Sequence, residues 1–285
     1  MFIDTHCHIQ FRAYDADREA VIKNCQEKQV ILNLVGTQKD TSAAAVALAS
    51  KYENMYASIG THPIHLFPTH VDEEESHFMS REEGFDEAHY ENLVRSEKVI
   101  GVGETGLDLY HLPKDKPKAE VLAKQKQVFL AHIKFAVKHN LPLVVHCREA
   151  HNEMIELLQS IANRAQPMVR GVIHCFTGNW EQAQKYLALG FYLGFTGVVT
   201  YPPKKTDPKP QNDLLAVLKK MPADRILVET DSPYLAPQIC RGKRCDPDMV
   251  EEVVKKIAEI RGVNLEKIRQ ITVENTLVLF TRIKT

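Results

Sequence analysis

Short runs of apolar and β-branched residues recur along the chain, separated by longer stretches with helical spacing. The runs are 2–6 (FIDTH), 30–36 (VILNLVG), 55–60 (MYASIG), 99–104 (VIGVGE), 141–146 (LPLVVH), 169–174 (VRGVIH), 191–195 (FYLGF) and 225–230 (RILVET). Each has the length and composition of a buried strand. Helical patterns fall at 16–28, 40–52, 119–139, 149–164, 179–188, 210–220, 247–261 and 265–280. The clearest is 119–139, where Val121, Leu122, Phe129, Ile133, Phe135, Ala136 and Val137 recur at helical spacing.

Eight alternations of strand and helix imply parallel pairing through right-handed crossovers. Eight units also close a (β/α)8 TIM barrel, and 285 residues suit one such α/β domain spanning 1–285. An open doubly wound sheet would need a phosphate-binding glycine turn after an early strand, and THCHIQ (5–10) is nothing like one. The acidic segment 66–93 carries no clear pattern and is expected to be a solvated loop with a short helix.

Charge and composition narrow the function. A formal net charge of -1 gives no global basic field, so any nucleic-acid contact has to come from a local patch. No apolar stretch is long enough to span a membrane, and the first strand begins at Phe2 without a basic leader. A cytoplasmic protein is the expectation, with its six cysteines as thiols.

The chemistry gathers at one end of the strands. On the first strand Asp4, His6 and His8 alternate onto one face, which is costly to bury without partners. The third strand ends at His62 and His65, the fourth at Glu104, the fifth at His146, the sixth at His174 and the eighth at Asp231. In a barrel this is the end that carries the active site. Singly, each side chain reads as an ordinary core or surface residue; six coincidences at one end do not. Four imidazoles and two carboxylates exceed the three ligands of one catalytic zinc. They suit two divalent ions about 3.5–4 Å apart, and the mixed N/O set accepts Mg2+, Mn2+ or Zn2+.

The motifs FIDTHCH, GTHPIH, GETGLD, QKQVFLAHIKFA, LPLVVHCREAH, HCFTG and ILVETDSPYLAP followed by RGKR cover nearly the whole chain. Together they resemble the TatD-like metal-dependent deoxyribonucleases, within the amidohydrolase-type barrels. The resemblance implies a (β/α)8 barrel and divalent-metal-dependent cleavage of DNA, often from a 3′ end. It implies one metal on His6, His8, Glu104 and Asp231 and a second on Glu104, His146 and His174, with Glu104 as the bridge. Glu104, Asp231 and His62 are the expected catalytic residues. The sequence departs from the family pattern at Cys245, where an Asn is usual, and in the length of 66–93.

Substrate contacts are expected from Arg148, His65, Arg241, Lys243 and Arg244. Arg148 lies two residues past His146, and a guanidinium there can hold a phosphate. Arg241, Lys243 and Arg244 supply the local basic patch that the neutral net charge requires. Asp4, Asp108 and Glu229 are candidates for supporting the ligands, and Cys7, Cys147 and Cys175 alternate away from the metals. Tyr201, Phe176 and Trp180 are candidates for base stacking as well as for packing. The leading expectation is a monomeric deoxyribonuclease acting on single strands or 3′ ends. The alternative is a metal-dependent ester or amide hydrolase, such as a D-aminoacyl-tRNA deacylase; a non-catalytic binding scaffold has no need of this ligand set.

Overall fold

A computed structural model describes residues 1–68, 70–73, 76–79, 82–162 and 169–284, the two short runs in the seventies as backbone only. The apolar runs form strands β1 (Phe2–Cys7), β2 (Val30–Val35) and β3 (Met55–Ile59), an outlying hairpin β4 (His70–Glu73) and β5 (Ser76–Met79), and then β6 (Val99–Asp108), β7 (Leu143–Arg148), β8 (Gly171–Ile173), β9 (Tyr192–Phe195) and β10 (Ile226–Val228). Helices α1 (Arg18–Glu27), α2 (Lys39–Ala49), α3 (Glu87–Leu93), α4 (Lys118–His139), α5 (His151–Ala162), α6 (Trp180–Ala188), α7 (Lys209–Lys220), α8 (Val250–Arg261) and α9 (Leu265–Leu279) follow or separate them.

Eight strands pair in parallel in the order β1-β2-β3-β6-β7-β8-β9-β10, and helices alternate with them around the outside: the expected TIM barrel. The seam between first and last strands closes at the C-terminal end. There Asp231 N–H donates to His6 O (2.8 Å) and His8 N–H donates to Ser232 O (2.7 Å). Asp4 strengthens the seam from beneath. Its carboxylate accepts from Thr230 N (2.9 Å), Thr230 Oγ1 (2.5 Å) and His6 N (3.2 Å). Burial pushes the Asp4 carboxyl well above its usual range despite those bonds.

Two elements differ from the sequence reading. The fourth barrel strand does not stop at Glu104 but runs to Asp108, pairing Gly106 with His146 and Asp108 with Arg148. The strand bends instead of ending, with a register shift between Val102 and Thr105. Gly106 permits this: its φ is +150°, and a Cβ there would lie 2.0 Å from His146 O. The segment 66–93 contains the antiparallel hairpin β4–β5 as well as the short helix α3, because an acidic alternating run gives little strand signal. Residues 163 and 164 of the expected helix 149–164 lie outside the described residues.

Asp4→Ala strands two buried donors at Thr230, so it is expected to cost about 2–4 kcal/mol of stability. Urea unfolding of the metal-free protein measures this as a lower midpoint with an unchanged slope.

Candidate metal centre

The barrel brings the predicted residues to one place at the C-terminal ends of its strands. His6 Nε2 lies 3.2 Å from His8 Nε2, 3.3 Å from Glu104 Oε2 and 3.7 Å from Asp231 Oδ1. His8 Nε2 is 3.3 Å from Asp231 Oδ1. On the other side of Glu104, His146 Nδ1 is 2.9 Å and His62 Nε2 3.3 Å from Oε1. His174 stacks on His6 with ring centroids 3.5 Å apart, its Nε2 3.7 Å from Asp231 Oδ1 and 4.0 Å from Glu104 Oε1. Three groups result in which the ligand atoms lie within 4.8 Å of one another: His6–His8–Asp231, His6–Glu104–His174 and His62–Glu104–His146.

These residues fit a metal. Ligands bound tetrahedrally at about 2.0–2.1 Å stand about 3.3–3.4 Å apart, close to the spacings around His6, His8 and Glu104. The orientation of the rings agrees. His8 Nδ1–H donates to Val35 O (2.7 Å), leaving the Nε2 lone pair toward the centre. His146 Nε2–H reaches Asp108 Oδ2 (3.1 Å), leaving Nδ1 inward. His174 Nδ1 lies in an ion-pair contact with Glu229 Oε1 (2.9 Å), and Nε2 faces inward. An outer oxygen that holds the far N–H is the usual support of a metal-binding histidine.

His62 is different. Its Nδ1 accepts from Ile64 N–H (3.1 Å), so a neutral ring carries its proton on Nε2, toward Glu104. It faces the centre as a donor, not as a lone pair.

Local sequence explains how these supports are placed. Glu229 shares the Asp231 face, and besides His174 it accepts from Cys175 N (2.5 Å). It has room only because residue 194 is glycine: a Cβ there would lie 2.6 Å from the Glu229 carboxylate oxygens. Asp108 accepts from Tyr110 N (2.9 Å), His111 N (2.8 Å) and His111 Nδ1 (2.8 Å), while Gln125 Oε1 accepts from its backbone N (3.1 Å). Sequence reasoning singled out Asp108 and Glu229 and missed His111, Gln125 and Tyr110. The Asp-x-x-His spacing of an Asx-type turn is the signal that would have flagged His111.

The rim residues are dispersed. Arg148 lies over the Tyr110 ring, its Cζ 4.1 Å from the centroid, and Arg241 lies over Tyr201 at 4.3 Å. Arg241, Lys243 and Arg244 line a cavity of about 310 Å³ with Tyr201, Pro233 and Gly242. The Arg244 guanidinium is engaged by both Asp17 oxygens (2.8 Å each), by Asp246 (3.0 Å) and by Ala13 O (2.8 Å). That makes it a brace between the loops after β1 and β10. His65 is buried beside His62, ring centroids 6.2 Å apart, and its carbonyl accepts from Glu83 N (2.7 Å). Phe176 is core, at 2% exposure. Cys7 and Cys147 are buried away from the ligand atoms, Cys7 donating to Asn33 O (3.5 Å) and Cys147 lying beside His151 and Tyr186.

Charge follows from this packing. Burial alone would raise the Glu104 carboxyl, but His62 and His6, with hydrogen bonds from His146 and His6, hold it well below its usual range. Burial would lower His146, yet Asp108 and Glu104 lift it to about 9. Burial would likewise lower His174, yet Glu229 and Asp231 lift it to about 10. In the metal-free protein both rings are therefore protonated at neutral pH, and a ligand imidazole has to be neutral. At least two protons, one from each ring, are expected to leave per chain when metal saturates the site at pH 7. Calorimetric titration with Zn2+ in buffers of different ionisation heat counts them; a heat independent of the buffer would contradict the charge state. Glu229→Gln, which loosens the hold on His174, is expected to weaken metal binding by about 10- to 100-fold in the same titration.

A family model described as TatD related DNase matches residues 3–281. The chain is 37% identical over 281 residues to the uncharacterized metal-dependent hydrolase YabD of Bacillus subtilis, covering 98% of this chain and 99% of that one. It is 30% identical over 276 residues to the 3′-5′ ssDNA/RNA exonuclease TatD of Pectobacterium carotovorum, with 94% of each chain covered. Among solved structures, the TatD homologue YjjV of Escherichia coli matches with a TM-score of 0.78 at 28% identity, covering 98% of each chain. The chain belongs to the TatD-related DNase family of metal-dependent hydrolases.

Proposed function

We propose that the protein is a phosphodiesterase that cleaves single-stranded DNA, with a preference for 3′ ends, and that it holds two divalent ions. The observation that carries this reading is the position of Glu104. Its two carboxylate oxygens face different ligand groups, Oε2 toward His6 and Oε1 toward His146 and His62. A carboxylate so placed can keep two cations adjacent. His6, His8 and Asp231 would complete one position, and His146 and His174 the other. Relatives from Pectobacterium carotovorum and Cronobacter sakazakii carry the name 3′-5′ ssDNA/RNA exonuclease, which supports a nucleic-acid substrate.

When bound, the ions would supply hydroxide at neutral pH and positive charge beside the phosphate oxygens. The chain's own groups supply the rest. The Asp231 side chain is 17% exposed against 5% for Glu104, which leaves it the carboxylate that water at the mouth can reach. It is suited to take the proton of the attacking water. His62 presents Nε2–H at the edge of the centre, where it can donate to a phosphate oxygen or to the departing 3′-oxygen. Arg148, Arg241 and Lys243 lie around the mouth and suit the flanking phosphates. Six free thiols support a reducing, cytoplasmic setting, and no helix among the described residues is long and apolar enough to cross a membrane.

The test is hydrolysis of 5′-labelled single-stranded DNA with Mg2+, Mn2+ or Zn2+ and with chelator. Stepwise shortening from the 3′ end, lost with chelator and lost in Glu104→Gln with an unchanged circular dichroism spectrum, is the expected result. Hydrolysis of a D-aminoacyl-tRNA ester without cleavage of DNA would replace this reading by the deacylase one. Changing Arg241 and Lys243 together to alanine is expected to flatten the salt dependence of DNA binding, making the log–log slope less negative by about 0.7 per lost phosphate contact.

A further inference from the structure

Tyr110 is 54% exposed, the one exposed aromatic side chain among the described residues. It stands two positions past the end of β6, a strand whose residues are all buried. Its position is fixed. Its backbone N–H is held by Asp108 Oδ1 (2.9 Å), and the other oxygen of that carboxylate holds His146 (3.1 Å). The ring is also covered by the Arg148 guanidinium at 4.1 Å, which comes from the neighbouring strand where Asp108 pairs with Arg148. The rest of the ring is left to solvent. Here it is anchored by the carboxylate that also orients a candidate metal ligand.

We propose that Tyr110 is a stacking platform for a nucleobase of the bound strand, with Arg148 behind it. The inference rests on the nuclease reading and adds where the base goes. Every base offers a π-face, so such a platform grips a single strand without choosing its sequence. A duplex end keeps its terminal base paired and stacked within the helix, so the platform favours single strands. Arg148 holds the ring from one side, and its charge is available to the phosphate on the 5′ side of the stacked base.

The test uses the metal-loaded full chain and two 5′-labelled single strands, one natural and one with an abasic 3′-terminal nucleotide. Tyr110→Leu is expected to raise KM on the natural strand by about 5- to 20-fold, toward the lower end of base–aromatic stacking because Arg148 already covers part of the ring. Tyr110→Phe, which keeps the π-face, is expected to stay within about 2-fold of the parent protein. On the abasic strand, the parent protein is expected to show the same weakening, and Tyr110→Leu no further loss. A 2-aminopurine base at the 3′ end is expected to be quenched on binding to the parent protein and not to Tyr110→Leu. Equal losses on natural and abasic strands, or no quenching while the natural strand is still cut, would overturn the platform and leave the nuclease reading standing. Absence of any cleavage or binding of single strands by the parent protein would overturn both.

Discussion

A buried carboxylate has to be matched by positive charge, and Glu104, at 4% exposure, sets that demand at the mouth of this barrel. The surrounding elements are arranged to meet it. β1 brings His6 and His8, the strand ends of β7 and β8 bring His146 and His174, and the loop after β10 brings Asp231. Two positive charges can be supplied as protons on His146 and His174, or the region can be filled by divalent cations. Val35 O and Asp108 already hold the outer nitrogens of His8 and His146, and Glu229 lies 2.9 Å from that of His174. The rings are thus aimed before any ion arrives, which limits the reorganisation that binding requires.

The barrel serves this arrangement through its seam. β1 and β10 meet beside the centre, where backbone bonds from Asp231 and His8 close the ring of strands. Asp231 itself has φ +62°, a left-handed conformation that an aspartate tolerates better than a β-branched residue would. Arg244 ties the loops after β1 and β10 together through Asp17. The ion pair is partly exposed, so its worth lies in geometry more than in energy. It joins the loop that carries Arg241 and Lys243 to the loop that follows His8.

Much of this was legible in the sequence because period and position carry it. The eight apolar runs match the eight barrel strands to within about two residues at most ends, and the periodic stretch 119–139 is α4, closed by Asn140 in a left-handed cap. The six ligand candidates were visible as polar groups at one end of those strands. What stayed hidden depends on contacts that spacing does not encode. The extension of β6 to Asp108 rests on a glycine passing close to His146 O. The partner of Arg244 is Asp17, far away in the chain, so nothing in the run RGKR separates this arginine from Arg241 and Lys243. The sequence sets His62 apart as a catalytic candidate, but only the Ile64 N–H shows which nitrogen carries the proton. Tyr110 carries no signal in the sequence, and only the structure shows its ring exposed two positions past the end of β6.

The central claim is that Glu104 joins two metal positions. Anomalous scattering from crystals of the protein equilibrated with Mn2+ tests it directly. The account predicts two peaks per chain, one on each side of Glu104 and each about 2.0–2.3 Å from one of its oxygens. A single peak on His6, His8 and Asp231 with Glu104 touching no ion, or two peaks that do not share it, would contradict the account.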